Sequence, residues 1–420
     1  MVKQIALSLI FSFAAISIYC QNIMKEYSSP DIKSVMFGKK GFSLSYPVLE
    51  IDEETPLLLT FDDLNHEKKD YYYSIVLCNA NWTESRLAPS EYSSGLFSYP
   101  VQNYKPSFNT LVPYTHYEIE LPNEDVQLKL TGNYIIKVFE NSNSENPVLV
   151  KRFVFVEKLL GIDAQLKTPI LPEFRATSQQ IDFSINTSEF PITNPHQELT
   201  VVITKNFDWN SALSTLKPQF IKPNSLDYNY TKENLFIGGN EFRSFNINSY
   251  KTPSAQVIGV DYDGKKYVAT LATDKARNTY FSKEDINGLF VNENKDLHNP
   301  DNALESDYFQ VNFSLDATNI LPYDGDVYLY GALTDFNFND ESKMKYNFDR
   351  NIWENSLLLK QGYYEYQYVF VSKATGTFDE AEIEGSFTET ENNYFIFLYY
   401  RGFGERYDRA VGYKRVALRE

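Results

Sequence analysis

Cysteine is nearly missing from this 420-residue chain: there are two, Cys20 and Cys78, and Cys20 ends an amino-terminal apolar run. Without that run only Cys78 remains, so no internal disulfide can form and an exported fold must rely on packing. Histidine is scarce as well, at His66, His116, His196 and His298. "HEKKD" at 66–70 sits in a polar stretch and has Asp70 where the zinc-protease pattern needs a second imidazole, so it predicts no metal site. There is no nucleophile elbow. "IGGNEF" and "RGFGERY" lack the spacing and following helix of a phosphate cradle. Glu380, Glu382 and Glu384 in "DEAEIEGSF" alternate, which predicts one solvated strand face rather than two carboxylates flanking a glycosidic bond. No catalytic residue, metal or cofactor is expected, and the chain does not read as an enzyme.

Long apolar runs are also lacking beyond the start. "MVKQIALSLIFSFAAISIYC" has one early lysine and then an uncharged stretch, Ile5 to Tyr19, with the size and layout of a secretory signal peptide. That stretch is shorter than the ~20 apolar residues of a membrane span. Cleavage is expected after Cys20, with lipidation of Cys20 as the alternative. No later segment is apolar enough to cross a bilayer, so a soluble, exported, periplasmic protein is expected. Positive charge is in deficit: 39 Lys and Arg face 56 Asp and Glu, a formal charge of −17. Such a balance disfavours nucleic acid and anionic lipid as partners.

What the chain has in abundance is aromatics, 16% of residues, with 32 Tyr and 31 Phe. These fit pleated, half-buried surfaces. "DYYYSIVLCNANW" alternates, with Tyr71, Tyr73, Ile75 and Leu77 on one face and Tyr72, Ser74, Val76 and Cys78 on the other. "GNYIIKVFEN" and "VLVKRFVFVE" read as a strand–turn–strand pair. "VIGVDYDGKKYVATLA" reads as a hairpin whose Asp263-Gly264 pair supplies two positive-φ positions. In "YYEYQYVFVS", Tyr364, Tyr366, Tyr368 and Phe370 form one wall and Glu365, Gln367, Val369 and Val371 the other. No helix of convincing length is expected after the signal peptide. The fold class is all-β, a series of immunoglobulin-like sandwiches. The expected division is 1–20 signal peptide, 21–158 first sandwich, 159–304 middle domain and 305–420 last sandwich. "LLGIDAQLKTPILPEF" is expected to be the linker between the first two. Residues 84–115 and 273–306 are expected to be long loops, the kind that dock on partners.

Two features bear on binding. Trp82, Trp209 and Trp353 could stack on sugars, though core or edge packing is the more usual fate of each. Trp353 is the sharper candidate, because residues 327–371 resemble the immunoglobulin-like glycogen-binding modules of starch enzymes in their layout of strands and turns. The second feature is "YYRGFGERYDRAVGY", residues 399–413, rich in arginine and tyrosine on an acidic chain. It is expected to be a hairpin closing a sheet, with Gly402 and Gly404 in the turn and Arg–Asp pairs beside it. Arg401, Arg406, Tyr407, Asp408, Arg409 and Tyr413 are candidate partner-interface residues, since Arg and Tyr are enriched at binding hot spots.

"LKTPILPEFRATSQQIDFSIN", "SLDYNYTKENLFIGGNEFRSFNI", "ESDYFQVNFSL" and "EGSFTETENNYFIFLYYRGFGERYDRAVGY" together resemble a Bacteroidetes family of exported multi-β-domain proteins, whose type is the plug protein of the type IX secretion system. The stretches 225–247 and 385–413 are the most specific parts. The resemblance implies a periplasmic protein at the inner face of the outer membrane that occludes the pore of the translocon barrel by reversible docking, with no chemistry. The competing reading is a glycan-binding protein of an outer-membrane polysaccharide machinery.

Overall fold

The structure, a computed structural model, describes residues 23–141 and 143–417; the expected signal peptide at 1–20 lies outside them. Among the described residues the chain is almost entirely β, and its α-helices are four residues long. The strands form six sheets that face one another in pairs around three cores.

The first pair uses residues up to 156. Strands Ile32–Lys39, Leu57–Asp63, Thr115–Leu121 and Asn103–Pro106 form one sheet in that order. The other is built on Tyr71–Cys78, Gly132–Glu140 and Leu149–Val156. The alternation in Tyr71–Cys78 sends Tyr71, Tyr73, Ile75 and Leu77 into the core between these sheets. Cys78 and Val76 turn to the opposite face, where a second apolar layer covers them. Burial pushes the Cys78 thiol up to about 12, so it is a packing residue with no thiolate character at neutral pH.

That second layer comes from the far end of the chain. Strands Asn393–Tyr400 and Arg409–Ala417 pair with each other, and Asn393–Tyr400 also pairs with Leu199–Lys205. One face of this sheet, with Ile396, Leu398 and Val411, packs on the sheet of Gly161–Lys167 and Ser178–Asn186. The other face, with Phe395, Phe397 and Tyr399, packs on Ile135, Val154 and Trp82 of the first sandwich. Double coverage explains why "NYFIFLYY" runs apolar without alternating.

The third pair sets strands Val257–Tyr262, Tyr267–Leu271, Tyr308–Asp316 and Ile352–Lys360 against Gly362–Ser372 with Arg243–Asn246, Phe290–Asn292 and Gly325–Tyr330. The tyrosine wall of Gly362–Ser372 faces the core with Phe370 against it, and Glu365 and Gln367 are buried on the other side.

Several local expectations change. The sheets do not divide at 304/305: strands between 243 and 271 pair with strands beyond 308, and 393–417 return to the middle unit. Backbone pairing between strands distant in sequence leaves no local signature, which is why a serial cut misses it. The supposed linker contains an edge strand, Gly161–Lys167, whose residues alternate between exposed and half-buried. The 261–267 hairpin has a four-residue connection, because Tyr262 pairs with Tyr267; only Gly264 has positive φ, and Asp263 Oδ1 accepts the amides of Lys265 and Lys266 instead. The segment 84–115 contains a helix, Pro89–Tyr92, and two short strands.

Candidate functional site

Segment 399–413 is the expected hairpin. Its strands lie antiparallel, and the turn between them closes with the Glu405 amide donating to the Gly402 carbonyl at 3.0 Å. Gly404 adopts φ +84° there, a conformation other residues resist.

The arginines of this hairpin, though partly exposed, are each paired with an acid. Arg401 pairs with Asp408 at 2.7 Å and donates to Asn79 Oδ1 at 2.6 Å. Asp408 also accepts the Ala80 amide at 2.8 Å. Arg406 pairs with Glu91, and Arg409 with Glu157 at 2.6 Å. Tyr407 packs against the first core, and Tyr413 stacks on Phe397 at 5.3 Å between ring centres. The six candidate interface residues are thus largely spent on a clasp between the carboxy-terminal strands and the first sandwich. Sequence could foresee the Arg401–Asp408 pair, which lies within one turn. Glu91, Glu157 and Asn79 are hundreds of positions away and carried no signal.

What the clasp leaves free is its tip. Phe403, between two glycines, is fully exposed. The Arg406–Glu91 pair ties this tip to the helix Pro89–Tyr92, and Leu96 and Phe97, soon after that helix, are also exposed. Exposed large apolar residues on an acidic protein are candidates for a contact surface.

The expected sugar platform is not one. Trp353 is buried in the third core, and its indole N–H donates to the Ile320 carbonyl at 3.2 Å. A ring enclosed on its faces cannot stack on a sugar. Trp82 and Trp209, far apart in sequence, meet edge to face at 4.7 Å.

Sequence reasoning missed three buried charged clusters. At the contact of the first and third sandwiches, Asp62 accepts from Lys360 at 2.8 Å, His116 at 2.6 Å and Tyr308 at 2.7 Å, with no exposed surface of its own. Burial pulls the Lys360 ammonium below its usual range, against the attraction of Asp62. Burial also works against a charged His116, yet its bonds to Asp62 and Glu118 prevail and raise its pKa. Nearby the two expected docking loops meet each other: the Phe108 amide donates to the Leu304 carbonyl at 2.9 Å and the Tyr114 hydroxyl to the Ser306 carbonyl at 3.1 Å.

The second cluster corrects the three alternating glutamates. Residues Ala381–Glu384 form a helical turn, not a strand, so the three do not share a face. Glu380 pairs with Lys205, Glu382 is exposed, and Glu384 is wholly buried between Arg243 at 2.9 Å and Arg277 at 2.6 Å. Burial would raise the Glu384 pKa, but the two guanidiniums outweigh it and hold the carboxyl below its ordinary value.

The third cluster is acidic. Burial first, then the charge of Asp285, pushes Glu241 up to about 7, and burial first, then the charge of Glu365, pushes Asp285 up to about 6. Among the described residues no group of His, Cys, Asp and Glu is arranged to hold a metal ion.

Residues 225–247 and 385–413, which carry the family resemblance most specifically, meet at this place. The Phe387 amide donates to the Gly239 carbonyl at 2.9 Å, and Asn392 Nδ2 to the Gly238 carbonyl at 2.7 Å. A Cβ on Gly238 would stand 2.0 Å from the Phe387 carbonyl oxygen, so "GG" here is a close backbone approach and not a phosphate loop.

Comparison with known proteins gives a consistent answer. Residues 32–157 match the model of the first domain of the type 9 secretion system plug protein. A solved structure of a hypothetical protein from Parabacteroides merdae is 34% identical, covers 94% of this chain and 100% of its own, and superposes with a TM-score of 0.90. No curated protein matches.

Proposed function

Since this chain belongs to the type IX secretion system plug protein family, with a part in that secretion system, we propose that it acts as a periplasmic stopper which occludes the outer-membrane translocon pore by reversible docking. Its family is one of plug proteins and not of enzymes. No helix among the described residues is long and apolar enough to cross a membrane, which fits a protein held at the inner face of the outer membrane by a partner.

The observation that carries this reading is the bracing between units. A stopper must keep its shape under load, and these sandwiches are not beads on a flexible string. The first is joined to the second by the arginine clasp and the apolar layer around Phe395 and Trp82, and to the third by the Asp62–Lys360–His116 cluster. Linked units of this kind move as one body unless a buried charge is uncovered, which is costly. The exposed tip formed by Phe403, with Leu96 and Phe97 beside the same clasp, is the preferred docking surface. The glycan reading loses its main support with the burial of Trp353.

The test is co-purification from membranes in mild detergent. The translocon barrel should come down with the tagged protein, and deletion of the gene should make the outer membrane permeable to large polar dyes. Recovery of no translocon subunit would refute the proposal.

A further inference from the structure

Between the first and second sandwiches lies a cleft of about 670 Å³, within the usual size of ligand sites. It is lined by the loop Asn79–Thr83, by Arg152, by Trp209, Asn210 and Ala212 of strand Asp208–Leu213, and by Arg401 with Asp408 and Glu198. We propose that this cleft binds an extended peptide through a carboxylate.

The first reason is an excess of donors. Trp82 and Trp209 both line the cleft, and neither indole N–H, buried as it is, has an acceptor among the described residues. Trp82 as a whole is 4% exposed, so water does not readily serve it. Buried donors are ordinarily partnered, and two orphans on one cleft ask for a shared acceptor. The second reason is charge. Arg152 spends its guanidinium on the Met24 carbonyl and on the Trp82 ring, 4.6 Å away, and neither it nor Lys25, also on the cleft, has a salt-bridge partner among the described residues. Lys25, Arg152 and Arg401 line this space against Glu198 and Asp408, the latter paired with Arg401, so the cleft keeps an excess of positive charge that favours a carboxylate.

Peptide is favoured over sugar by two features. Arg152 lies over the Trp82 ring, so no flat platform is offered to a pyranose. Strand Asp208–Leu213 is the edge of its sheet, with an irregular ladder to Leu199–Lys205, and an edge strand can accept a peptide as an additional strand.

The chain has three tryptophans, and Trp353 lies away from the cleft in the third core. Three indole N–H resonances in a 1H–15N spectrum of the intact protein therefore report the site with an internal control. Titration with the hexapeptide Ala-Thr-Val-Thr-Val-Ala bearing a free terminal carboxylate should move the Trp82 and Trp209 signals and leave Trp353 in place. The carboxy-amidated peptide should bind at least tenfold more weakly; the same peptide amidated but carrying an internal Asp tests whether a side-chain carboxylate serves equally. Trp209→Phe keeps a ring in place, removes one donor and should weaken binding by five- to tenfold. Indole signals unmoved at millimolar free-acid peptide, equal binding of the acid and the neutral amide, or movement with maltohexaose alone would each overturn the proposal. It stands apart from pore occlusion, because the peptide titration and the barrel pull-down can fail independently.

Discussion

Replacing Lys360 by Met removes the positive partner of a carboxylate that has no access to water. Asp62 and Lys360 are 0% and 1% exposed, with 2.8 Å between their charged atoms. At an effective dielectric of ~20, unit charges at that distance attract by ~6 kcal/mol. Part of this already offsets the desolvation of both groups, and breaking such a pair from one side typically costs ~3–5 kcal/mol. His116 holds the opposite oxygen of Asp62 at 2.6 Å. Its folded-state pKa is raised, so its contribution is fully present below the unfolded value near 6.5 and fades as pH rises through the folded value. In Lys360→Met the imidazolium is the one remaining cation bonded to Asp62, and the loss should be about 2 kcal/mol larger at pH 9 than at pH 6. Urea unfolding of wild type, Lys360→Met, Asp62→Asn and the double variant at both pH values measures this. The double variant should recover most of the loss, since it leaves no buried charge unpaired. A Lys360→Met cost below ~1 kcal/mol at pH 9 would refute the view that this cluster braces the first and third sandwiches.

Four further outcomes are expected. Phe403→Asp should leave the unfolding midpoint within ~0.5 kcal/mol of wild type, because the ring touches nothing, yet reduce recovery of the translocon barrel in the pull-down; unchanged recovery would remove the tip from the docking surface. Arg406→Glu opposes an exposed glutamate and should cost no more than ~1 kcal/mol, measured by the same unfolding assay. The raised carboxyls of Glu241 and Asp285 take up protons on folding, so stability of the third sandwich should fall as pH rises from about 4 to 7, by at least roughly 2 kcal/mol; Glu241→Gln should flatten that slope in pH-dependent thermal melts. Gly238→Ala places a methyl against the Phe387 carbonyl and should destabilise by ~2–3 kcal/mol, with lower melting temperature and reduced soluble yield as the readouts.

Much of the architecture was legible in the residues because strands have a period of two and burial follows it. Tyr71–Cys78 and Gly362–Ser372 show their faces in their own letters, while Gly132–Glu140 and Leu149–Val156 were readable as a strand pair only. The turn of the arginine–tyrosine hairpin was readable for the same local reason. Alternation could say which residues share a face, but not what covers it. Hence "NYFIFLYY", apolar on both faces, gave no hint that one side belongs to the second sandwich and the other to the first.

The site was harder. Glu384 appeared to be a surface residue because its partners, Arg243 and Arg277, lie more than a hundred positions earlier, and Lys360 finds Asp62 across almost three hundred. A charged letter in a sequence is most often solvated, and only the folded arrangement of distant strands can bury it beside an opposite charge. The chain by itself determined that it is β-rich and acidic. Which sheets face each other, where the arginines spend their charge, and that Trp82 and Trp209 share a cleft were decided by tertiary packing, because these are relations between segments that no short-range pattern encodes.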